Sequence, residues 1–275
     1  MTNFMDVEDP GVAVITGASS GIGESFARIL SSQGFDLVVT ARRKERLESL
    51  AAELKQKDGI NVEIISGDLS KPEFMDKVAS RIEDIENLDV LVNNAGFGGL
   101  GDFISKNSNV KRFMTMLNLH CGAIVRLMHA GLKVMRNNDR GVIFNISSIA
   151  SLILHGSREP MYHSTKVFVS AFTEMVQLKL NFIKSKVKLK SICPGNTHTE
   201  IFGPAAIAIP SKFGSPMTAE EVVNISLDSY KNRDIIVITG DQNIEEVVEW
   251  REVARNKPGR FYSKDFTKSG LYKSL

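Results

Sequence analysis

Thr16-Gly-Ala-Ser-Ser-Gly-Ile-Gly23 carries glycines at 17, 21 and 23. The apolar run Val12 to Ile15 precedes it, and Ile22, Phe26, Ile29 and Leu30 follow at helical spacing. Without side chains the backbone can turn tightly and approach a pyrophosphate, while the first N–H groups of the helix face the anion. A glycine-rich strand–helix turn that binds nothing would share the spacing. The strand before and the helix after are the context a phosphate-binding turn requires.

The same alternation continues downstream. Leu37 to Val39, then Val62, Ile64 and Ile65, then Leu88 to Val92 are short apolar runs. Between them Leu47, Leu50, Ala51 and Leu54, and then Met75, Val78, Ile82 and Ile85, recur at helical spacing. Almost wholly apolar strands between amphipathic helices predict a parallel sheet covered on both faces. The second half predicts a long helix over 111–136, strands at Val142 to Ile146, Val187 to Ile192 and Ile235 to Ile238, and another long helix over 162–183. These two helices are apolar beyond one face, as expected of helices sandwiched in a core or used between subunits. No linker divides the chain. The expected fold is α/β: a single-domain, doubly wound, Rossmann-like parallel sheet of about seven strands spanning residues 1–275.

Composition narrows the function. The 275 residues carry 34 Lys and Arg against 32 Asp and Glu, a net charge of +2, which disfavours nucleic acid as the main partner. Apolar residues at 43% and charged residues at 24% describe a globular chain. No apolar stretch is long enough to span a membrane. Met1 to Pro10 lacks the apolar core of a secretion signal, so cytoplasm is expected. Two cysteines, Cys121 and Cys193, give neither a disulfide framework nor a zinc set.

Further motifs follow in order: Asp68-Leu69, Asn93-Asn94-Ala95-Gly96, Asn118, Ser147-Ser148, Tyr162-x-x-x-Lys166 and Pro194-Gly195. With the glycine turn, they make the chain from about Val12 to Gly240 resemble the short-chain dehydrogenase/reductase family, Rossmann-fold NAD(P)-dependent oxidoreductases. The resemblance implies a cofactor site built from Gly17, Ser19, Ser20, Gly21, Ile22 and Gly23, with Asp68 on the adenine amino group and Leu69 lining its pocket. Asn94, Ala95 and Gly96 would follow the cofactor along the next strand. Pro194, Gly195, Thr197 and Thr199 would meet its nicotinamide end, with Thr199 on the carboxamide.

The end of the second strand reads Thr40-Ala41-Arg42-Arg43. A carboxylate there would bond a ribose 2′-hydroxyl and repel a 2′-phosphate. None is present, and Arg42 could clamp the phosphate through its planar fork. NADP(H) is therefore favoured, with NAD(H) possible. A solvated helix start would also explain the two arginines. NADP-preferring relatives often carry a basic residue inside the glycine turn, where this chain has Ser20.

Tyr162 and Lys166 lie four residues apart, on one face of a predicted helix. A free tyrosine titrates near ~10, too high for acid–base work near neutrality. A neighbouring ammonium would stabilise the phenolate. By resemblance Tyr162 is the general acid/base, and Lys166 also bonds the nicotinamide ribose. Ser148 would polarise the substrate carbonyl. It precedes Tyr162 by fourteen positions where the family has about thirteen, so Ser147 stays an alternative. Asn118 would kink its helix and hold a relay water for Lys166.

Residues 201–217 are apolar for a segment outside the regular pattern, with Phe202, Ile207, Ile209 and Phe213. They belong to an expected lid over 196–217. Phe97, Leu152, Ile153 and Leu154 are further candidates for an apolar substrate pocket, and packing against the core or a second subunit would explain them equally. His155 and His198 lack partners for a metal, and no metal site is expected. Residues 251–275 carry seven basic and two acidic side chains, a basic extension. The expected function is NADP(H)-dependent interconversion of a carbonyl and a secondary alcohol on a small, apolar substrate, by a homodimer or homotetramer. The alternative is a nicotinamide-sensing regulatory protein without turnover.

Overall fold

The computed structural model describes residues 3–98, 103–152, 159–199 and 216–240. Strands β1 (Val12–Thr16), β2 (Asp36–Ala41), β3 (Val62–Ser66), β4 (Leu88–Asn93), β5 (Val142–Ile146), β6 (Lys188–Pro194) and β7 (Ile236–Thr239) form one parallel sheet, in the order β3-β2-β1-β4-β5-β6-β7. Alternate residues explain why the strands read as continuous apolar runs. Ala13, Ile15, Leu37, Val39, Val92 and Phe144 point to one face, under helices α1 (Gly21–Ser32), α2 (Lys44–Asp58) and α7 (Ala219–Asp228). Val14, Val38, Leu91 and Ile143 point to the other, under α3 (Pro72–Glu83) and α5 (Ala123–Asn138). Both faces are covered, so apolar side chains fill both positions of the pleat.

The chain runs outward from β1 to β3 and then returns to place β4 beside β1. At that reversal the connections leave in opposite directions and open a crevice beyond the carboxyl ends of the strands. The predicted long helix over 111–136 is built from α4 (Val110–Leu117), a π-helical turn (Asn118–Gly122) and α5. Such a one-residue widening is often found at functional sites.

Helix α6 (Pro160–Phe182) has an unusually polar buried side, beside buried Val169 and Leu180. Its buried positions include Thr165, Lys166, Ser170, Thr173 and Gln177, while Phe168, Met175, Leu178 and Phe182 are exposed. The buried groups are paired. Asn93 Nδ2 donates to Asn145 Oδ1 at 2.8 Å, and Asn145 Nδ2 donates to Thr173 Oγ1 at 2.8 Å. Ser170 Oγ donates to Ser147 Oγ at 2.9 Å and lies 3.0 Å from Ser191 Oγ. No helix among the described residues is long and apolar enough to cross a membrane. The described residues up to Gly240 belong to one compact unit, and the basic extension over 251–275 lies outside the described residues.

Candidate active site

The glycine turn is fastened to the end of β4. Thr16 Oγ1 accepts from the N–H groups of Asn94 at 2.9 Å and Ala95 at 3.0 Å, and Asn94 Nδ2 donates to the Thr16 carbonyl at 2.9 Å. Gly17 has φ +68°, and a Cβ there would stand 2.7 Å from Asn94 Nδ2. A Cβ on Gly23 would stand 2.4 Å from the Gly17 carbonyl oxygen. Gly23 therefore packs the first turn of α1 onto the loop, and Ser20, Gly21 and Ile22 open onto a cavity of about 580 Å³.

That cavity crosses the carboxyl ends of six strands. In sheet order it meets Asp68 and Leu69 after β3, Arg42 and Arg43 after β2, and Gly17, Ser19, Ser20 and Gly21 after β1. It continues past Asn94, Ala95 and Gly96 after β4, Ser148 after β5, and Pro194, Gly195, Thr197 and Thr199 after β6. Five inter-strand steps give it about 24 Å of reach, room for an extended dinucleotide. Of the residues expected to contact a cofactor, only Gly23 is absent from the lining.

Two arginines stand where the acidic residue is missing. Arg42 is exposed and its charge bears on Asp68. Arg43, which sequence reasoning did not single out, folds back over the glycine turn. Its Nε donates to Ser19 Oγ at 3.1 Å, and its Nη2 donates to Ser20 Oγ at 2.5 Å and to the Ser19 carbonyl at 3.3 Å. The positive charge absent from position 20 is thus delivered by a neighbouring strand end. Burial opposes the charge on Asp68. Hydrogen bonds from the Ser70 N–H and hydroxyl, with the nearby Arg42 charge, outweigh it and hold the carboxyl below its usual range.

At the β5 end, Ser148 and Ser147 part. Ser147 Oγ turns into the protein and donates to the Lys166 carbonyl at 2.9 Å. The Ser148 hydroxyl is hydrogen-bonded to the Tyr162 side chain and accepts from the Ala150 N–H at 3.1 Å. Lys166 Nζ donates to the Ile146 carbonyl at 2.9 Å and lies 5.6 Å from the Tyr162 ring centroid. Burial dominates both groups. It pushes the Tyr162 phenol up to about 12, with the Ser148 bond acting against it and Glu159 adding to it. It draws the Lys166 ammonium down to about 8. The lowered phenol expected from the Tyr162/Lys166 spacing is therefore outweighed by desolvation in the cofactor-free protein.

Asn118 opens the π-helical turn, but its side chain is exposed and lines none of the cavity. The buried residues of that turn are Cys121 and His120, the latter 1% exposed and facing Phe97 and Tyr162. No pattern in the sequence marks it, because a lone histidine in a helix carries no spacing. Phe97 lines the cavity as expected, with Leu119, Ile149 and Ala150. Leu152 is described but does not line it, and His198 is exposed. Ile153, Leu154, His155 and most of the expected lid, residues 200–215, lie outside the described residues. Among the described residues, no cluster of three or more His, Cys, Asp or Glu could hold a metal ion.

The family pattern described as short chain dehydrogenase matches residues 11–207. The chain belongs to the short chain dehydrogenase family. This dehydrogenase is 26% identical over 247 residues to a 7beta-hydroxysteroid dehydrogenase of Mediterraneibacter gnavus, covering 86% of this chain and 89% of the relative. It is 29% identical over 226 residues to the 17-beta-hydroxysteroid dehydrogenase type 3 of Danio rerio, covering 81% and 70%. Among solved structures, a short-chain dehydrogenase from Sphingobium yanoikuyae in complex with NADPH superimposes with a TM-score of 0.80 at 29% identity, covering 92% of this chain and 95% of that one. The dehydrogenase is thus an oxidoreductase with a Rossmann-like fold.

Proposed function

We propose that this dehydrogenase interconverts a ketone and a secondary alcohol on a bulky, apolar ring system, with NADP(H) preferred over NAD(H). The observation that carries the proposal is the hydrogen-bonded Ser148–Tyr162 pair in the same cavity as Arg42 and Arg43. The glycine turn fits a dinucleotide: Gly17 and Gly23 let the turn close tightly on itself and on Asn94, which leaves Ser20, Gly21 and Ile22 at the start of α1 facing the cavity. When bound, nicotinamide supplies or accepts the hydride.

The chain's own residues manage the oxygen and its proton. Ser148 and Tyr162 converge on one point where a carbonyl oxygen can accept from both hydroxyls. Tyr162 is protonated at neutral pH, which is the acid form that carbonyl reduction needs. Lys166, beneath its ring, lowers the cost of the phenolate left behind. Apolar Phe97, Leu119, Ile149 and Ala150 on the cavity wall, with two relatives named as hydroxysteroid dehydrogenases, support an apolar polycyclic substrate. Arg43 on Ser19 and Ser20, beside Arg42, supports recognition of a 2′-phosphate. A second copy on the apolar outer face of α6 fits the expected oligomer, and two unpaired cysteines fit a cytoplasmic protein.

Tyr162→Phe should lower kcat/KM for ketone reduction by about 10²–10⁴-fold while leaving NADPH binding intact. Unchanged turnover would remove Tyr162 from the chemistry. Fluorescence titration should show NADPH bound more tightly than NADH. Replacing Arg42 and Arg43 by alanine should shrink that difference by about 10–100-fold. Equal affinity in the unmodified protein would overturn the cofactor preference.

A further inference from the structure

We propose that His120 is a positioning residue that clamps the loop after β4 to the start of α6 and so fixes Tyr162 against the cavity. The inference rests on the reading of Tyr162 as the acid–base group. His120 Nε2 is 3.1 Å from the Phe97 backbone N–H, and Nδ1 is 2.9 Å from Thr165 Oγ1. Thr165 Oγ1 donates to the Tyr162 carbonyl at 2.8 Å. Both ends of this chain are backbone groups, so its proton order is determined. A backbone N–H can only donate and a carbonyl can only accept. Nε2 therefore accepts, the Thr165 hydroxyl spends its proton on Tyr162, and Nδ1 must carry the remaining proton. Only the neutral Nδ1–H imidazole satisfies every bond, because an imidazolium would set Nε2–H against the Phe97 N–H.

Packing reinforces the chain. The imidazole stands edge-on between two rings that line the cavity, 5.8 Å from Phe97 and 5.9 Å from Tyr162 by centroids. A Cβ on Gly96 would come 3.0 Å from Nε2, so the glycine lets the loop close on the ring. Burial and the nearby Lys166 charge both hold the imidazole well below its ordinary pKa, in agreement with the neutral form. His120 itself does not line the cavity. It acts through Phe97 on one side and Tyr162 on the other.

Two measurements test the clamp. Long-range proton–nitrogen NMR on the full-length protein should show His120 as the neutral Nδ1–H tautomer, unchanged from about pH 5.5 to 8.5. The Nε2–H tautomer, or titration near the free value, would overturn the proposal. In kinetics with NADPH and a ketone, His120→Leu and Thr165→Val should each lower kcat by about 10–100-fold, as a small misplacement of a reacting group does. KM and NADPH affinity should change less than about threefold, and the double variant should be no slower than the worse single one. Thr165→Val keeps side-chain volume and carries the test if His120→Leu fails to fold. Additive losses, or unchanged kcat in Thr165→Val, would overturn the clamp. Retained turnover in Tyr162→Phe would instead overturn the acid–base reading beneath it, and the NMR result does not depend on turnover.

Discussion

Helices α1 and α6 pack on opposite faces of the same sheet and bury opposite chemistry. Helix α1 buries Phe26, Ala27 and Leu30, and Phe26 meets Phe144 of the sheet with ring centroids 5.6 Å apart and the rings tilted by 37°. Helix α6 buries Thr165, Lys166, Ser170, Thr173 and Gln177 and leaves Phe168, Met175, Leu178 and Phe182 outside. In α1 burial serves cohesion, since removing apolar area from water is its whole yield. In α6 burial serves position. Every polar group placed inside must find a partner, and each partner it finds on or just after β5 or on β6 fixes the helix in register. The cofactor side of the molecule is thus held by shape and the chemical side by directional bonds.

The comparison would break first in stability. Phe26→Ala removes a fully buried ring from the α1 face and should cost about 3–5 kcal/mol. Ser170→Ala removes one oxygen from α6 and takes one hydrogen-bond partner each from Ser147, Ser151 and Ser191, which should cost about 1–3 kcal/mol. Urea unfolding measures both. The second variant should also lose activity, because Ser151, freed from Ser170, is the group that donates to the Ser148 carbonyl at 2.7 Å. If Ser170→Ala proved the costlier change, cohesion on the α6 face would also rest on polar bonds.

Legibility in the sequence divides along the same line. The strands, the helices from α1 to α3, and the glycine turn were all readable, because apolar periodicity and side-chain size report directly on packing. Leu47, Leu50, Ala51 and Leu54 lie on the buried face of α2 as their spacing predicts. On the other side periodicity misleads. Exposed Phe168, Met175, Leu178 and Phe182 compete with buried Val169 and Leu180 for the apolar signal of α6, and the polar residues on its inside resemble a solvated face. Asn118, expected by resemblance to kink its helix, opens the π-helical turn with its side chain exposed, while His120 is inward and unmarked. The sequence points to Arg42 as the clamp, and only the turn of the backbone after β2 sends its neighbour Arg43 back to Ser19 and Ser20. Ser147 and Ser148 could be separated only by the strand's alternation, which directs one to Lys166 and the other to Tyr162.

A second prediction sharpens the contrast through pH. Lys166 titrates at about 8 in the folded protein, against an ordinary lysine value of 10.5. The unfolded chain therefore holds this proton over a range where the folded chain has released it. Stability linked to Lys166 is fully present above about 10.5 and is lost as pH falls through about 8. Relative to Lys166→Met, the cofactor-free protein should gain on the order of 2 kcal/mol between pH 7 and pH 9.5. Tyr162, raised to about 12, acts with the opposite sign, but only above about pH 10, where the unfolded phenol begins to ionise. Denaturant midpoints at the two pH values measure the difference. A flat difference would mean that Lys166 is solvated in solution and that burial on α6 is looser than on α1.

The smallest effect on stability should come from the outside of α6, and it carries the largest change in assembly. Phe182 is 80% exposed and Met175 66%, beside Leu178 and Phe168 on the same helix. Contiguous exposed side chains of this kind mark an interaction surface more often than a solvated one. Met175 and Phe182, the most exposed of these, contribute little to the fold of one copy, whereas Phe168 stacks on Phe172 at 5.4 Å. Met175→Glu with Phe182→Glu should therefore change the unfolding free energy of a single copy by no more than about 0.5 kcal/mol. The same pair should convert an oligomer to monomers in sedimentation equilibrium, because two carboxylates would be buried unpaired at the contact. If the unmodified protein were already monomeric at micromolar concentration, the exposed apolar residues of α6 would have no second copy to answer to. Its apolar outer face would then have to be covered from within the chain, and the charged pair would destabilise the monomer instead.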